Sequence, residues 1–238
     1  MADENLIKSN KRVKEHGEVF TPKRIVNQML NQPELVESLN SLSTTFMEPA
    51  AGEGAFLTEL LRRKLILANK LSTDLKSYEA NAEIVLSSLY GIELLEDNVK
   101  VLVMRMYNIF SHHYFQAIQK WSGKKNPKVT SSAMTIIEAN MRQGDALKKA
   151  TKDGRSIIFS EWKLLPVRNG VQKVQRIEYT LDAIINDKGP LDESVPSRKV
   201  EQLDLFGFDD EVDEEPKKRF KACKLVDIYK EEMEEVTD

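Results

Sequence analysis

Cysteine is almost missing from this 238-residue chain, with Cys223 the only one. A single thiol builds neither a disulfide framework nor a cysteine-rich zinc site, so no metal is expected and a reducing cytoplasm fits best. Long apolar runs are missing too. The opening residues, MADENLIKSNKRVKEHGEVF, lack the apolar stretch of a secretory signal. No later run reaches the length of a bilayer span, which argues against a membrane partner. Internal repeats are absent. Glycine is scarce, ten in all, so two within one short turn carry information.

Charge is plentiful but unevenly placed. Residues 201–238 hold 14 acidic and 6 basic residues, while the first 200 carry a net charge of +5. A basic body suits a nucleic-acid partner, because Lys and Arg displace phosphate counterions; an ordinary solvated surface reads the same way.

Hydrophobic spacing predicts an α/β order. KRIVNQML (residues 23–30) has helical spacing, with Ile25, Val26 and Met29 on one face, Thr21 as N-cap and Pro22 at the first helical position. TTFM reads as a short strand, and GAFLTELLRRKLILANKL as a helix burying Phe56, Leu57, Leu60, Leu61 and Leu65. EIVLSSLYGIEL carries a second strand, and LEDNVKVLVMRMYNIFSHHYFQAI a long helix. AMTIIEANMRQGDAL supplies a third strand and a turn at Gly144 and Asp145. The order β-α-β-α-β predicts a parallel sheet with helices on its faces. Two β-rich runs around Arg168, Asn169 and Gly170 then predict a hairpin. Three segments follow: a domain over 1–185, a mobile acidic linker over 186–216, and a short terminal helix or tail over 217–238.

The first strand runs into EPAAGEGAF, a turn of small residues that includes Ala50, Ala51, Gly52 and Gly54. Missing side chains there let a ligand lie against backbone N–H groups at the carboxyl end of a strand. The turn matches neither the Walker pattern nor the dinucleotide fingerprint, and a purely structural turn is the other reading. Two strand-end acids accompany it. Glu93 is placed to accept ribose hydroxyls, and Asp145 to meet the amino edge of an adenine ring.

GEVFTP (residues 17–22), EPAAGEGAFL (48–57), YGIELLEDNVKVL (90–102) and QGDAL (143–147) resemble, in order, the motifs of S-adenosylmethionine-dependent DNA methyltransferases. The likeness is to the adenine-N6 class, especially the modification subunits of restriction–modification systems, and covers residues 15–150. It implies a Rossmann-like class I methyltransferase sheet, shortened here, with S-adenosylmethionine as cofactor. It also implies roles for individual residues. Phe20 and Thr21 would flank the methionine end, with the backbone around Ala50, Gly52, Gly54 and Phe56 beneath it. Glu48 would bind near the amino-acid part, Glu93 the ribose and Asp145 the adenine.

The family's catalytic motif is Asn or Asp, two prolines and an aromatic residue, holding a flipped adenine's amine in line with the sulfonium methyl. This sequence has no such motif. Its place reads Phe159, Ser160, Glu161 and Trp162. Trp162 is the one ring left for base stacking; the favoured reading packs Phe159 and Trp162 on the sheet. Two functions follow. One is a DNA methyltransferase-like protein completed by a partner methyltransferase or specificity subunit. The other is an inactive interaction protein acting through DNA, a methyltransferase partner or the sliding clamp. The clamp enters through QLDLF in the acidic segment, where Gln202, Leu203, Leu205 and Phe206 resemble the clamp-docking peptide of bacterial replication and repair proteins. That likeness implies a bacterial or phage setting.

Overall fold

Three short helices precede the first strand: α1 (Asn10–His16), α2 (Lys23–Leu30) and α3 (Pro33–Ser38). The structure is a computed structural model that describes residues 7–168, 171–191 and 218–236. Pro22, rather than Thr21, caps α2: its carbonyl accepts from the amides of Ile25 (2.9 Å) and Val26 (3.1 Å). The buried face of α2 is Val26 and Leu30, one turn apart, with Met29 exposed. The buried face is rotated from the expected Ile25–Val26–Met29 face, and α2 packs against α4 (Ala55–Leu71).

β1 (Phe46–Glu48), β2 (Leu89–Glu93) and β3 (Met141–Gln143) form a three-stranded parallel sheet with β2 in the centre. The protein is thus mixed α/β, about half helix around a small parallel sheet. Each crossover holds two helices where one was expected. α4 is followed by α5 (Leu75–Ser87), and α6 (Glu96–Lys120) by α7 (Pro127–Asn140). The apolar residues of EIVLSS and AMTIIEAN, read as strand, are helical. Asp74 and Ser77 form a capping box ahead of α5, and Asn126 with Pro127 starts α7. Once started, Val129, Ala133, Ile136 and Ile137 fall on one buried face. Only the last three to five residues before each turn remain extended.

The four crossover helices pack on one another and on the sheet. Leu57, Leu61 and Leu65 on α4 are fully buried, each worth roughly 2 kcal/mol of transfer free energy. Lys64 is buried among them. Its ammonium donates to the Thr44 carbonyl (2.7 Å) and Ser88 Oγ (2.6 Å) and lies 5.2 Å from the Phe46 ring centroid. It ties the starts of β1 and β2 to α4. Burial pulls its pKa down to about 7.

β4 (Ile158–Leu164) and β5 (Lys173–Thr180) pair antiparallel as the expected hairpin, with a bridge between Arg168 and Val171; Asn169 and Gly170 lie outside the described residues. The hairpin does not extend the parallel sheet. It packs beside β2, where the Tyr90 ring meets Phe159 edge-on at 5.7 Å and its hydroxyl donates to the Ser160 carbonyl (2.8 Å). α8 (Leu181–Ile185) follows directly.

The terminal segment forms more than a helix or a tail. β6 (Lys218–Phe220) pairs with β8 (Met233–Glu235), and β7 (Cys223–Lys224) adds to the edge of β5. Between them a 3-10 turn, Leu225–Lys230, buries Leu225 and Ile228 against α7. Two apolar residues three apart suit one tight turn, which is the helix found among the described residues of the segment.

Candidate functional site

β1 hands over to α4 through Pro49–Gly54, and two glycines there take left-handed backbone: Gly52 (φ +53°) and Gly54 (φ +84°). At Gly54 a Cβ would lie 2.3 Å from Leu102 Cδ1, so its bareness lets α6 approach the start of α4. Gly52 differs. A Cβ there would touch only the Phe20 ring, at 3.9 Å, an ordinary contact that crowds nothing. The turn is pinned at its other side by the Ala51 amide donating to the Ile92 carbonyl (2.8 Å).

Beside this backbone lies an open cleft of about 540 Å³. It brings together Val19 to Thr21 and Lys23, residues 50–53 of the turn, the first two turns of α4, and Arg105 and Ile109 of α6. Phe20, Thr21, Glu48, Ala50, Gly52 and Phe56, all singled out from sequence, line it. Phe20 and Phe56 supply aromatic walls. Glu48 supplies a half-buried carboxylate whose pKa is raised by burial, against a weak contact from the Ala50 amide (3.4 Å). Arg62 and Arg105 bring positive charge to the same space. Arg62 is held by Glu59 (2.6 Å), whose own pKa is pulled to about 2 by hydrogen bonds from Arg62 and then Arg63. A cleft with both charge signs, two rings and a bare-backbone floor fits a zwitterionic ligand with an apolar body.

Gly54, Glu93 and Asp145 do not line the cleft. Glu93 is 8% exposed, and its oxygens already accept protein donors: Oε2 from the Gly52 amide (2.8 Å), Oε1 from the Leu95 amide (3.0 Å) and Asn98 Nδ2 (3.2 Å). Asp145 turns back on its own loop, with Oδ1 accepting from the amides of Leu147 (3.0 Å) and Lys148 (3.1 Å). Those bonds, led by the Lys148 amide, lower its pKa. An N-terminal stretch covers the end of β2. Lys8 bridges Glu53 (2.7 Å) and Asp97 (3.3 Å), and Arg12 pairs with Glu18 and with Asp97 (2.8 Å).

Trp162 has no face free for a base. It is 7% exposed, its indole N–H donates to Asn140 Oδ1 (2.9 Å), and the Arg176 guanidinium lies 5.3 Å from its ring centroid. Phe159 and Ser160 are each 2% exposed, so three of the four FSEW residues are core and Glu161 alone faces outward. Gln202, Leu203, Leu205 and Phe206 lie outside the described residues. Among the described residues, no group of three or more His, Cys, Asp or Glu is placed to hold a metal ion, and no helix is long and apolar enough to cross a membrane.

Sequence reading missed Arg62, Arg105, Lys8, Arg12 and Asn98. Arg62 lies six residues beyond Phe56, outside the three- or four-residue spacing that puts side chains side by side on a helix, so spacing gave no signal for it. Arg105 and Asn98 had none, since their distance from the turn depends on how α6 crosses α4. Comparison with family models, curated proteins and solved structures finds none that matches the chain.

Proposed function

We propose that this chain is the S-adenosylmethionine-binding part of an adenine-N6 DNA methyltransferase of the modification-subunit kind, with a Rossmann-like architecture and a catalytic site completed by a partner chain. The observation that carries the reading is the cleft. Phe20 and Thr21 meet Glu48 and the turn from 27 or more residues away in sequence, in the arrangement the motif order implies. Glu48 is an acceptor for the ligand's ammonium, and Arg62 or Arg105 a counter-charge for its carboxylate. Phe20 and Phe56 shield the apolar middle, and Gly52 leaves room for close approach.

When bound, the cofactor supplies a methyl group on a sulfonium. Phe20, Glu48, Gly52 and Phe56 would hold the cofactor, and its sulfonium methyl would be the group available for transfer to adenine N6. The chain's own residues bind and orient; the sequence carries no Asn/Asp-Pro-Pro motif to hold the amine. DNA and a partner methyltransferase or specificity subunit are therefore part of the proposal. The test is calorimetric titration with S-adenosylmethionine. Saturable binding that Glu48→Ala weakens supports the reading, and no binding removes it.

The burial of Phe159, Ser160 and Trp162 favours a second reading, an interaction protein that transfers no methyl group. N6-methyladenine formed on unmethylated DNA by the isolated chain would exclude it. Its clamp arm is separable: Leu205→Ala with Phe206→Ala abolishes binding to purified sliding clamp if QLDLF is the docking peptide.

A further inference from the structure

Glu83, on α5, is 0% exposed, and neither of its carboxylate oxygens meets a hydrogen-bond donor among the described residues. The two charged groups that act on it are both acids: Glu79, one turn earlier on α5, and Asp227, in the 3-10 turn of the terminal segment. The neighbouring titratable groups are engaged elsewhere. Tyr114 of α6 donates to Glu79 Oε1, and Tyr78 of α5 turns its ring to Trp121, 5.8 Å between centroids. Lys128 of α7 and Lys230 both lie on Asp227 Oδ1 (3.5 and 3.3 Å). Lys64 of α4 is held by Thr44 and Ser88. The Cys223 thiol of β7 is pushed up by burial, then by Asp227, Glu232 and Glu83, and stays neutral. A charge on Glu83 would be buried without a donor and would face two like charges; a proton removes all three conflicts.

Of the two elements that bring these acids together, one is held far more firmly. α5 is fixed in the core by Tyr78, Ala82, Val85 and Leu86, each 1% exposed or less. The terminal segment holds on by Leu225 and Ile228 against α7, by the Tyr229 amide donating to Ser132 Oγ (3.2 Å), and by the two residues that β7 adds to β5. A repulsion between them is relieved by the segment, the element of lower local stability. We infer that Glu83 is a proton-held latch: residues 223–230 stay docked on α5 and α7 while Glu83 carries a proton, and its ionisation beside Glu79 and Asp227 releases them. The latch is independent of the cofactor reading. Release admits water to Glu83 and bares the edge of β5, a row of unpaired backbone groups open to another strand. The direction in pH follows from burial. Glu83 binds its proton more tightly docked than released, so docking is firmest at low pH and weakens as pH rises through the raised value.

The test is hydrogen exchange on the full-length protein, read as protection factors so that the intrinsic pH dependence of exchange drops out. The amides of residues 225–231 and those of β2 are followed from about pH 6 to about pH 9. In the wild type, protection over 225–231 should fall about tenfold per pH unit once Glu83 begins to ionise, one proton leaving per opening, while β2 keeps its protection. Glu83→Gln has no proton to lose and should hold protection constant across the range. Glu79→Gln keeps an acceptor for Tyr114 and removes one of the repelling charges, so the fall should begin at higher pH. Constant protection in the wild type, a fall that survives in Glu83→Gln, or a fall shared equally by β2 overturns the inference. Should Glu83→Gln fail to fold, Glu79→Gln decides alone: a delayed onset supports the latch, and an unmoved onset overturns it.

Discussion

The Gly52 amide donates to Glu93 Oε2 across 2.8 Å, joining the turn after β1 to the carboxyl end of β2. One hydrogen bond thus links the two sequence features that most suggested a cofactor, a glycine with positive φ and a strand-end acid. The link explains why Glu93 lies behind the floor of the cleft instead of on its wall.

Glu48 is the side chain on which ligand affinity should turn. Replacing it with Gln removes a charge-assisted bond to an ammonium and should weaken S-adenosylmethionine about 10- to 100-fold by calorimetry. Burial raises its pKa above the ordinary carboxylate value, so acidification protonates it early. Affinity should therefore fall as pH drops from 7.5 towards 5, and Glu48→Gln should flatten that dependence. A wild-type affinity that does not change with pH would count against an ionised Glu48 in the site.

Gly54 tests the packing of the turn. Gly54→Ala must hold φ near +84° with a Cβ pressed on Leu102. The combined backbone and overpacking cost should be about 2–4 kcal/mol in urea unfolding. Gly52→Ala meets only the Phe20 ring at 3.9 Å, so it bears the backbone cost alone, about 1 kcal/mol, and should lose more affinity than stability. Equal destabilisation by the two substitutions would contradict the assignment of one glycine to packing and the other to the cleft.

Lys64 predicts a pH slope. Its folded pKa, about 7, lies below the ordinary 10.5, so between those values the unfolded chain binds a proton that the folded one lacks. Stability from this group therefore rises with pH across that window and is lowest below pH 7. Lys64→Met should reduce the rise, read as a smaller change in unfolding free energy between pH 7 and 9. An identical slope in wild type and variant would show that the amine stays protonated.

Trp162 separates core from chemistry. Trp162→Phe keeps a ring but strands Asn140 Oδ1, and should cost about 1–3 kcal/mol of stability. Cofactor affinity of the folded protein should not change, since the ring lies outside the cleft. Reduced affinity without lost stability would restore Trp162 to the site.

Much of the fold was legible because short-range patterns carried it. The small-residue turn, the long helix of α6 and the hairpin around Arg168 each rest on local spacing or turn chemistry. EIVLSS and AMTIIEAN were misread because a short apolar run has no period of its own. The caps at Asp74 and Asn126, several residues upstream, decided for helix. The terminal segment was misread for a related reason: β7 gains its strand character from β5, far back in the sequence, and β6 and β8 gain theirs from each other across the 3-10 turn, which no short apolar spacing reveals.

From the sequence alone came the turn with its flanking acids, the parallel order of the sheet, and the lack of the catalytic motif, because glycine positions and strand–helix alternation are local properties of the chain. Tertiary structure alone decided that Phe20 and Thr21 reach the turn, that Glu93 is clamped by Gly52 and Asn98, and that Phe159, Ser160 and Trp162 lie in the core. Those outcomes depend on how α2, α4 and α6 cross and on where β4 finds its partner. They are set by packing between segments tens of residues apart, where neither propensity nor spacing has reach.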